Sequence, residues 1–162
     1  MANEHLIESY AHGGEKVSQS IRSLTADDLL SVPPADANVG RWSIQQLVLH
    51  LSDCELVFCD RMKRVIAEDN PTLLAFDEMR WTAALHYHDQ SVQDAVQLID
   101  LARRQMAIVL RNLPQEAFAR SGTHSQTGRR TLQDLVQSAV DHLEHHLKFV
   151  HGKRAYMGKE MW

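Results

Sequence analysis

A long amphipathic segment near the C-terminus constrains the fold of this chain more than any other feature. From Thr131 onward, apolar residues recur at spacings of three and four, which predicts one helix with a buried face. These residues are Leu132, Leu135, Val136, Ala139, Leu143, Leu147 and Val150. His142 and His146 fall inside the same stripe, one turn apart, whereas His145 is rotated away from it. The pattern therefore predicts a helix that points two imidazoles towards its own core.

A pair of inward histidines at this spacing has two interpretations. Residues four apart on a helix are neighbours, with Cβ atoms about 5–6 Å apart. Two imidazole nitrogens from such a pair can converge on one metal ion at about 2.0–2.1 Å each. The alternative is a pair of core histidines held by hydrogen bonds, or of histidines at the helix margin. A third ligand from elsewhere in the chain would favour the metal.

Three further segments have helical periodicity, and capping residues mark where most of the helices begin. The four predicted helices cover 3–23, 43–70, 91–113 and 131–156. Ser43 with Gln46 forms a capping box at the start of the second, while Gly13-Gly14 weakens the first. The connections 72–90 and 115–130 contain no alternating β pattern and are long enough for crossovers. We therefore predict a single all-α domain over residues 1–162, a four-helix bundle with crossover connections.

Charge and hydropathy argue against two classes of partner. The net charge is −4 with histidines neutral, and acidic and basic residues are interspersed, unlike the basic stripe of nucleic-acid-binding proteins. No apolar run approaches the ~18 residues that cross a membrane, and residues 1–5 do not begin a signal peptide. Cys54 and Cys59 lie five apart on one predicted helix and cannot pair, which is typical of a reducing compartment. We therefore expect a cytoplasmic protein that binds neither nucleic acid nor membrane.

His50 is the candidate for the third ligand. It lies between Leu47 and Cys54 at the margin of the second helix's apolar stripe, so it can face the interior. Three imidazoles plus water form the open arrangement of catalytic zinc, whereas structural zinc sites usually have four protein ligands. Ligand type alone does not choose among zinc, nickel, cobalt, iron and manganese. His86 and His88 form a weaker competing pair, because alternate residues converge well on strands and poorly on helices.

Residues near these histidines supply candidates for other roles. Asp53 and Glu55 either accept hydrogen bonds from the N–H groups of the ligands or belong to a solvated helix face. Cys54, one turn after His50, is either a fourth ligand or a small core residue. His124, in the connection before the fourth helix, joins Asp53 as a candidate catalytic base. The alternative for His124 is a loop residue that caps the bundle.

Several short motifs follow one another along the chain: Trp42-Ser43, His50-Leu-Ser-Asp53-Cys-Glu55, Asn70-Pro71, Gly122-Thr-His124 with Gly128, and Asp141-His142-Leu-Glu-His145-His146. Their order and spacing resemble those of the DinB-like (DinB/YfiT) superfamily. The resemblance extends from about Trp42 to Val150, with a compatible first helix. Many relatives have Gln three residues after the last ligand, where this chain has Lys148-Phe149. This departure bears on substrate contacts and not on the ligands.

The resemblance implies a four-helix bundle in which His50, His142 and His146 hold a divalent metal. It also implies a homodimer. Arg103 falls where relatives tend to have an arginine, which would meet an anionic substrate or a thiol cofactor; the alternative is a surface or helix-pairing arginine. Characterised members use low-molecular-weight thiols in S-transfer or isomerisation. Other members are described as metal-dependent hydrolases or DNA-damage-inducible proteins.

Two functional hypotheses follow. The first is a metal-dependent enzyme acting on a small molecule, with low-molecular-weight thiol S-transfer placed before hydrolysis. The second is a non-catalytic stress protein that binds a metal or ligand and merely retains the site. The residues do not separate the two reactions, because an open metal site can activate either water or a thiol. DNA binding is disfavoured by the negative net charge.

Overall fold

The computed structural model describes residues 3–161 and packs four helical arms together. The first arm is broken into α1 and α2, and the other three arms are α4, α6 and α7. The helices are α1 Glu4–Ala11, α2 Gly13–Ser20, α3 Ala26–Leu30, α4 Ile44–Ala67, α5 Glu78–Ala84, α6 Val92–Arg111 and α7 Leu132–Tyr156. Helix α4 packs against both α6 and α7, and α1 and α2 pack against α6. The predicted all-α four-helix bundle is confirmed.

Side-chain caps fix where the long helices begin. The hydroxyl of Ser43 accepts the N–H of Gln46 at 3.1 Å, and the Gln46 side chain accepts the N–H of Ser43 at 2.9 Å. Thr131 and Asp134 form the same reciprocal pair at the start of α7, and Ser91 caps α6. Each cap satisfies N–H groups that have no partner inside the helix, which is worth about 1 kcal/mol. The helix starts expected at these residues are confirmed.

The first arm bends at a glycine pair that lies directly against α6. A Cβ on Gly13 would stand 2.0 Å from Nη1 of Arg103, and one on Gly14 would stand 2.5 Å from Cα of Asp100. Glycine has no Cβ, so it alone permits this approach of one backbone to a neighbouring helix. The glycine pair therefore lets the first arm pack closely against α6, next to the buried guanidinium of Arg103.

The two connections differ from the prediction, because they form a small sheet. Its strands are β1 Thr72–Leu73, β2 Ser121–His124 and β3 Gly128–Thr131. Strand β1 pairs in parallel with β2, which pairs antiparallel with β3. A Cβ on Gly122 would stand 2.7 Å from the carbonyl oxygen of Pro71, so glycine lets the connections meet. Strands of two to four residues are too short for a visible alternation, and pairing between distant segments defines them.

Apolar packing divides the interior into two clusters. One contains Tyr10 and Met106 together with apolar residues of the first half of α7, and the other contains Leu47 and Ile99 together with apolar residues of the second half of α7. Buried polar side chains on α4, α6 and α7 lie among these residues. Within residues 3–161, no helix is both long and apolar enough to cross a membrane. The buried polar side chains are the residues whose presence in the bundle interior needs a structural or functional reason.

Candidate metal centre

The three predicted ligands meet between α4 and α7, and we call them the histidine centre. His50 comes from α4 and is fully buried, while His142 and His146 occupy consecutive turns of α7. Nε2 of His142 lies 3.2 Å from Nε2 of His50 and 3.2 Å from Nε2 of His146. Nε2 of His50 and Nε2 of His146, from two different helices, therefore both lie against Nε2 of His142.

The spacing of these nitrogens suits a shared cation better than hydrogen bonds. Nitrogens at 2.0–2.1 Å from a tetrahedral ion are separated by about 3.3 Å. A neutral imidazole has one N–H, so Nε2 of His142 satisfies at most one of the two nitrogens that face it. The buried Nδ1 of His146 has no hydrogen-bond partner among residues 3–161, and a cation on the Nε2 atoms would not supply one. These residues fit a divalent metal of the kind that imidazole binds.

Burial keeps the imidazoles neutral, which is the state that binds a metal. It lowers the pKa of His50 to about 4, that of His142 to about 3 and that of His146 to about 4. Mutual repulsion adds to this effect, because a charge on His146 would disfavour a charge on either of the other two. At neutral pH the histidine centre therefore presents lone pairs and not positive charges.

Cys54 packs against the histidine centre and belongs by distance to a possible ligand group with His50 and His142. Its Sγ lies 3.5 Å from Nε2 of His50 and 3.9 Å from Nε2 of His142. The same Sγ is 3.7 Å from Nδ1 of His50, which places it beside that ring and not beyond Nε2. Burial raises the pKa of the Cys54 thiol, so it stays protonated. For these reasons we take His146, and not Cys54, as the third candidate ligand.

Aromatic rings surround the imidazoles. The ring centroid of Trp42 lies 4.9 Å from that of His50 and 6.2 Å from that of His146. The Phe58 ring lies 6.0 Å from that of His142 on the other side. Packing of this kind restricts the imidazole rotamers and keeps the surroundings apolar, both of which tune a metal site.

A carboxylate that sequence analysis missed faces the histidine centre. Glu78 lies in the first turn of α5 and places Oε2 3.6 Å from Nε2 of His50, while its side chain remains 54% exposed. Its charge also contributes to the raised pKa of Cys54. Helix α5 has seven residues and buries none of them, so it lacks the apolar periodicity that reveals longer helices. Asp77, which caps α5 by accepting the N–H of Arg80, is a local signal for it.

Two clefts are lined by residues of α5, and the smaller of them reaches His146 of the histidine centre. The smaller has a volume of about 260 Å³ and is lined by residues that include Trp42, Met79 and His146. The larger has a volume of about 620 Å³ and is lined by residues that include Asp53 and Trp81. Glu78 therefore lies on a short helix whose residues line both clefts.

The two predicted catalytic candidates lie in different surroundings. Asp53 lines the larger cleft and accepts a hydrogen bond from the hydroxyl of Tyr87. His124 lies on β2, and its Nδ1 is 3.3 Å from the backbone nitrogens of both Gln126 and Thr127. Asp53 therefore borders a cleft, whereas the imidazole of His124 contacts backbone nitrogens of its own hairpin.

Arg103 lies inside the bundle, where protein atoms take up its guanidinium. Nε donates to Oε2 of Glu55 at 2.7 Å, Nη1 to the carbonyl of Tyr10 at 3.1 Å and Nη2 to the carbonyl of Ala139 at 2.9 Å. The Tyr10 hydroxyl donates to the other carboxylate oxygen of Glu55. Arg103 and Glu55 are each 2% exposed. This placement favours the helix-pairing alternative for Arg103, and it puts Glu55 in the interior and not on a solvated face.

The competing histidine pair faces solvent. His86 and His88 are both exposed, on either side of the buried Tyr87. Nδ1 of His86 lies 4.0 Å from a carboxylate oxygen of Asp89, at the surface. The alternate spacing therefore directs these imidazoles away from the bundle interior.

Comparisons with known proteins agree on one family. Residues 9–150 match the family model described as the DinB superfamily. A protein of Oceanobacillus iheyensis named as a putative metal-dependent hydrolase is 25% identical over 144 residues, which are 89% of this chain and 79% of that protein. YfiT of Bacillus subtilis, with the same designation, is 26% identical over 136 residues, which are 83% of this chain and 74% of YfiT.

A solved structure supports the fold. The structure of YfiT from Bacillus subtilis, described as a probable metal-dependent hydrolase with an unusual four-helix bundle topology, matches with a TM-score of 0.87. The match covers 96% of this chain and 87% of YfiT at 22% sequence identity. Because the family model spans most of the chain and contains all three histidines of the centre, the chain belongs to the DinB superfamily.

Proposed function

We propose that this protein is a divalent-metal-dependent hydrolase of small molecules, with His50, His142 and His146 as the metal ligands. The observation that carries the proposal is the convergence of the three Nε2 atoms, at 3.2 Å from His142 to each of the others. The designation of the relatives as metal-dependent hydrolases supports the reaction class. An ion on three imidazoles retains open positions for water and substrate, which is the arrangement of catalytic sites.

The residues around the ligands suit hydrolysis. A divalent metal held by His50, His142 and His146 would, when bound, supply Lewis acidity and a water with a pKa near neutrality. Glu78 is the candidate base, because its Oε2 lies 3.6 Å from Nε2 of His50 and its exposed side chain can hand a proton to solvent. Asp53, with the Tyr87 hydroxyl bonded to it, borders the larger cleft. The apolar wall formed by Trp42 strengthens electrostatic interactions at the centre.

Thiol S-transfer is the second candidate. The thiols of Cys54 and Cys59 are both buried, and burial raises the pKa of each, to about 11 for Cys59. Neither is therefore a ready nucleophile at neutral pH. A thiolate attacking an electrophile would have to come from a low-molecular-weight thiol, with the metal holding its sulfur. This reaction uses the same three ligands, so only an assay with added thiol separates it from hydrolysis.

Metal content is the first test. Untagged wild-type protein, purified without chelator, is compared by elemental analysis with His142→Ala/His146→Ala and with the matched control His145→Ala. His145 is an exposed neighbour on α7, so its loss should leave the metal in place. We expect about one equivalent in wild type and in the control, and none in the double variant. Equal metal in all three, or no uptake by wild type when metal is added back, would refute the site.

Turnover is the second test. Metal-loaded wild type is assayed on a panel of nitrophenyl esters and nitroanilides, and on monochlorobimane with and without glutathione. Hydrolysis without thiol supports the first candidate, and turnover only with thiol supports the second. For hydrolysis, Glu78→Gln should lower kcat by about a hundredfold or more while metal content stays unchanged. Bound metal without any turnover would instead favour the non-catalytic binding protein.

A further inference from the structure

The larger cleft beside α5 contains a buried cation that the protein leaves unpaired. Arg61, on α4, is 9% exposed and is one of the residues lining the cleft. Its Nη2 donates to the carbonyl of Leu74 at 2.6 Å. Its Nε is buried and has no hydrogen-bond partner among residues 3–161. No carboxylate of the described residues forms an ion pair with it, although the charge of Asp60 acts on it without direct contact.

A neighbouring arginine that lines the same cleft has carboxylate partners for its guanidinium. Arg64, three residues further along α4, also lines the cleft, but its Nε donates to Asp60 at 2.8 Å and its Nη1 to Glu68 at 3.4 Å. Its side chain is 45% exposed. Buried charges in proteins are normally paired, because desolvation of an isolated charge is costly. In contrast to Arg64, Arg61 keeps an Nε donor without a partner, which leaves it available to an external anion.

Two carboxylates line the cleft as well, and each has a partner: Asp53 accepts the Tyr87 hydroxyl and Asp60 accepts Nε of Arg64. Apart from these groups, the two arginines and Thr72, the cleft wall is apolar and aromatic. Phe76 and Trp81 lie with ring centroids 4.5 Å apart, and Leu56 and Leu74 contribute side chains that are 49% and 73% exposed. A volume of about 620 Å³ suits a small organic molecule. A ligand matched to this wall has an apolar body that stacks on the rings.

Arg61 in the cleft and His50 in the histidine centre lie along the same face of α4. Arg61 follows His50 by eleven residues, which is about three helical turns, so both residues lie on the same face of α4, with Cα atoms about 16 Å apart. Helical side chains generally lean towards the N-terminal end of their helix, which for Arg61 is the end of α4 that carries His50. In agreement, the charge of Arg61 acts on the thiol of Cys54, one turn from His50. Helix α5 contributes to both sites, because Trp81 lines the cleft and Glu78 faces His50 of the histidine centre.

We propose that this cleft binds the carboxylate group of a substrate with an aromatic or apolar body, and that Arg61 holds the carboxylate. Arginine presents N–H donors in a planar fork that matches the two oxygens of a carboxylate, and Nε is one of those donors. The proposal rests on the proposed function, in that the bound molecule is the substrate of the histidine centre. It adds the class of substrate, an aryl or apolar carboxylic acid with its reacting bond directed towards His50.

The test measures binding and not turnover. Phenylacetate and its neutral analogue phenylacetamide are titrated by calorimetry into the metal-free His142→Ala/His146→Ala protein, where a carboxylate cannot bind a metal at the centre. We expect phenylacetate to bind at least tenfold more tightly than phenylacetamide. We expect Arg61→Gln, made in the same background, to remove this preference, and the matched control Arg64→Gln to keep it. Circular dichroism and thermal denaturation show whether each variant is folded.

The outcomes separate this inference from the proposed function. Equal binding of acid and amide by the parent protein overturns the inference, even if Arg61→Gln does not fold. Unchanged acid binding in a folded Arg61→Gln variant overturns it as well. Acid binding that needs the wild-type metal and survives Arg61→Gln also overturns it, while leaving the metal proposal intact. Conversely, a wild type without metal or turnover refutes the proposed function, whereas binding that depends on Arg61 would still establish the cleft.

Discussion

Two buried polar clusters on the same helices differ in how their hydrogen bonds are satisfied. In the first, the closed cluster of Tyr10, Glu55 and Arg103, the guanidinium donates from three nitrogens to protein oxygens and both carboxylate oxygens accept. In the histidine centre, Nε2 atoms face one another, and the buried Nδ1 of His146 has no partner within residues 3–161. Buried polar groups cost free energy unless they are bonded.

This difference assigns a role to each cluster. The closed cluster joins α1, α4, α6 and α7 through groups that the chain itself supplies, so it is complete without a ligand. The histidine centre joins α4 and α7 through Nε2 atoms that cannot all be satisfied by one another, and our proposal is that a bound cation completes it. The first should therefore matter for stability under all conditions, and the second only in relation to metal and pH.

The largest expected effect is the loss of stability when the closed cluster is broken. Arg103→Ala leaves the buried carboxylate of Glu55 unpaired, which should cost about 3–5 kcal/mol in the free energy of unfolding. Urea denaturation at pH 7 measures it. The control Arg104→Ala removes an exposed partner of Asp100, with a side chain 61% exposed, and should cost less than ~1 kcal/mol. Similar losses for both variants would contradict the assignment.

The next effect is the gain of stability on metal binding. At a free metal concentration of a hundred times Kd, the ligand-bound state should be stabilised by about 2.7 kcal/mol. Denaturation with and without zinc should show this gain in wild type and in His145→Ala. The gain should be absent in His142→Ala/His146→Ala. A gain of the same size in that double variant would place the bound metal elsewhere.

The pH dependence of the metal-free protein gives a smaller effect. Burial lowers the pKa of His142 from 6.5 to about 3 in the folded state. Below pH 6.5 the unfolded chain therefore binds a proton that the folded chain does not, and stability falls as the pH falls towards 4. One such histidine contributes up to about 1.4 kcal/mol per pH unit. The slope between pH 6 and 5 should be shallower in His142→Ala by roughly that amount, and an unchanged slope would argue that His142 is solvated.

The smallest effect is expected at a surface ion pair between α2 and α7, the helix that carries His142 and His146. Lys16 donates to Glu144, and the two side chains are 44% and 42% exposed. Glu144→Gln should change the free energy of unfolding by less than ~1 kcal/mol, and added salt should remove even that difference. A larger or salt-independent loss would show that this pair behaves like the closed cluster.

Periodicity and capping predicted most of the fold. The starts of α4, α6 and α7 at Ser43, Ser91 and Thr131 follow from local hydrogen bonds, which sequence alone specifies. The sheet and α5 were missed, because the strands have two to four residues and α5 buries none. The homodimer, the cytoplasmic location and the extent of the domain stay predictions, as do the identity of the metal and the use of a thiol.

The sequence by itself determined which helix faces are buried and therefore which imidazoles point inward. A spacing of four residues aligns His142 with His146 on any straight helix, and the apolar stripe directs both to the core. Tertiary packing decided everything that depends on contacts between distant segments. It brought Nε2 of His50 to 3.2 Å from His142, enclosed Arg103 with Glu55, placed Glu78 beside the histidine centre, and left Nε of Arg61 without a partner in the larger cleft. Local periodicity fixes direction around one helix axis, whereas distances between helices depend on how their side chains interlock.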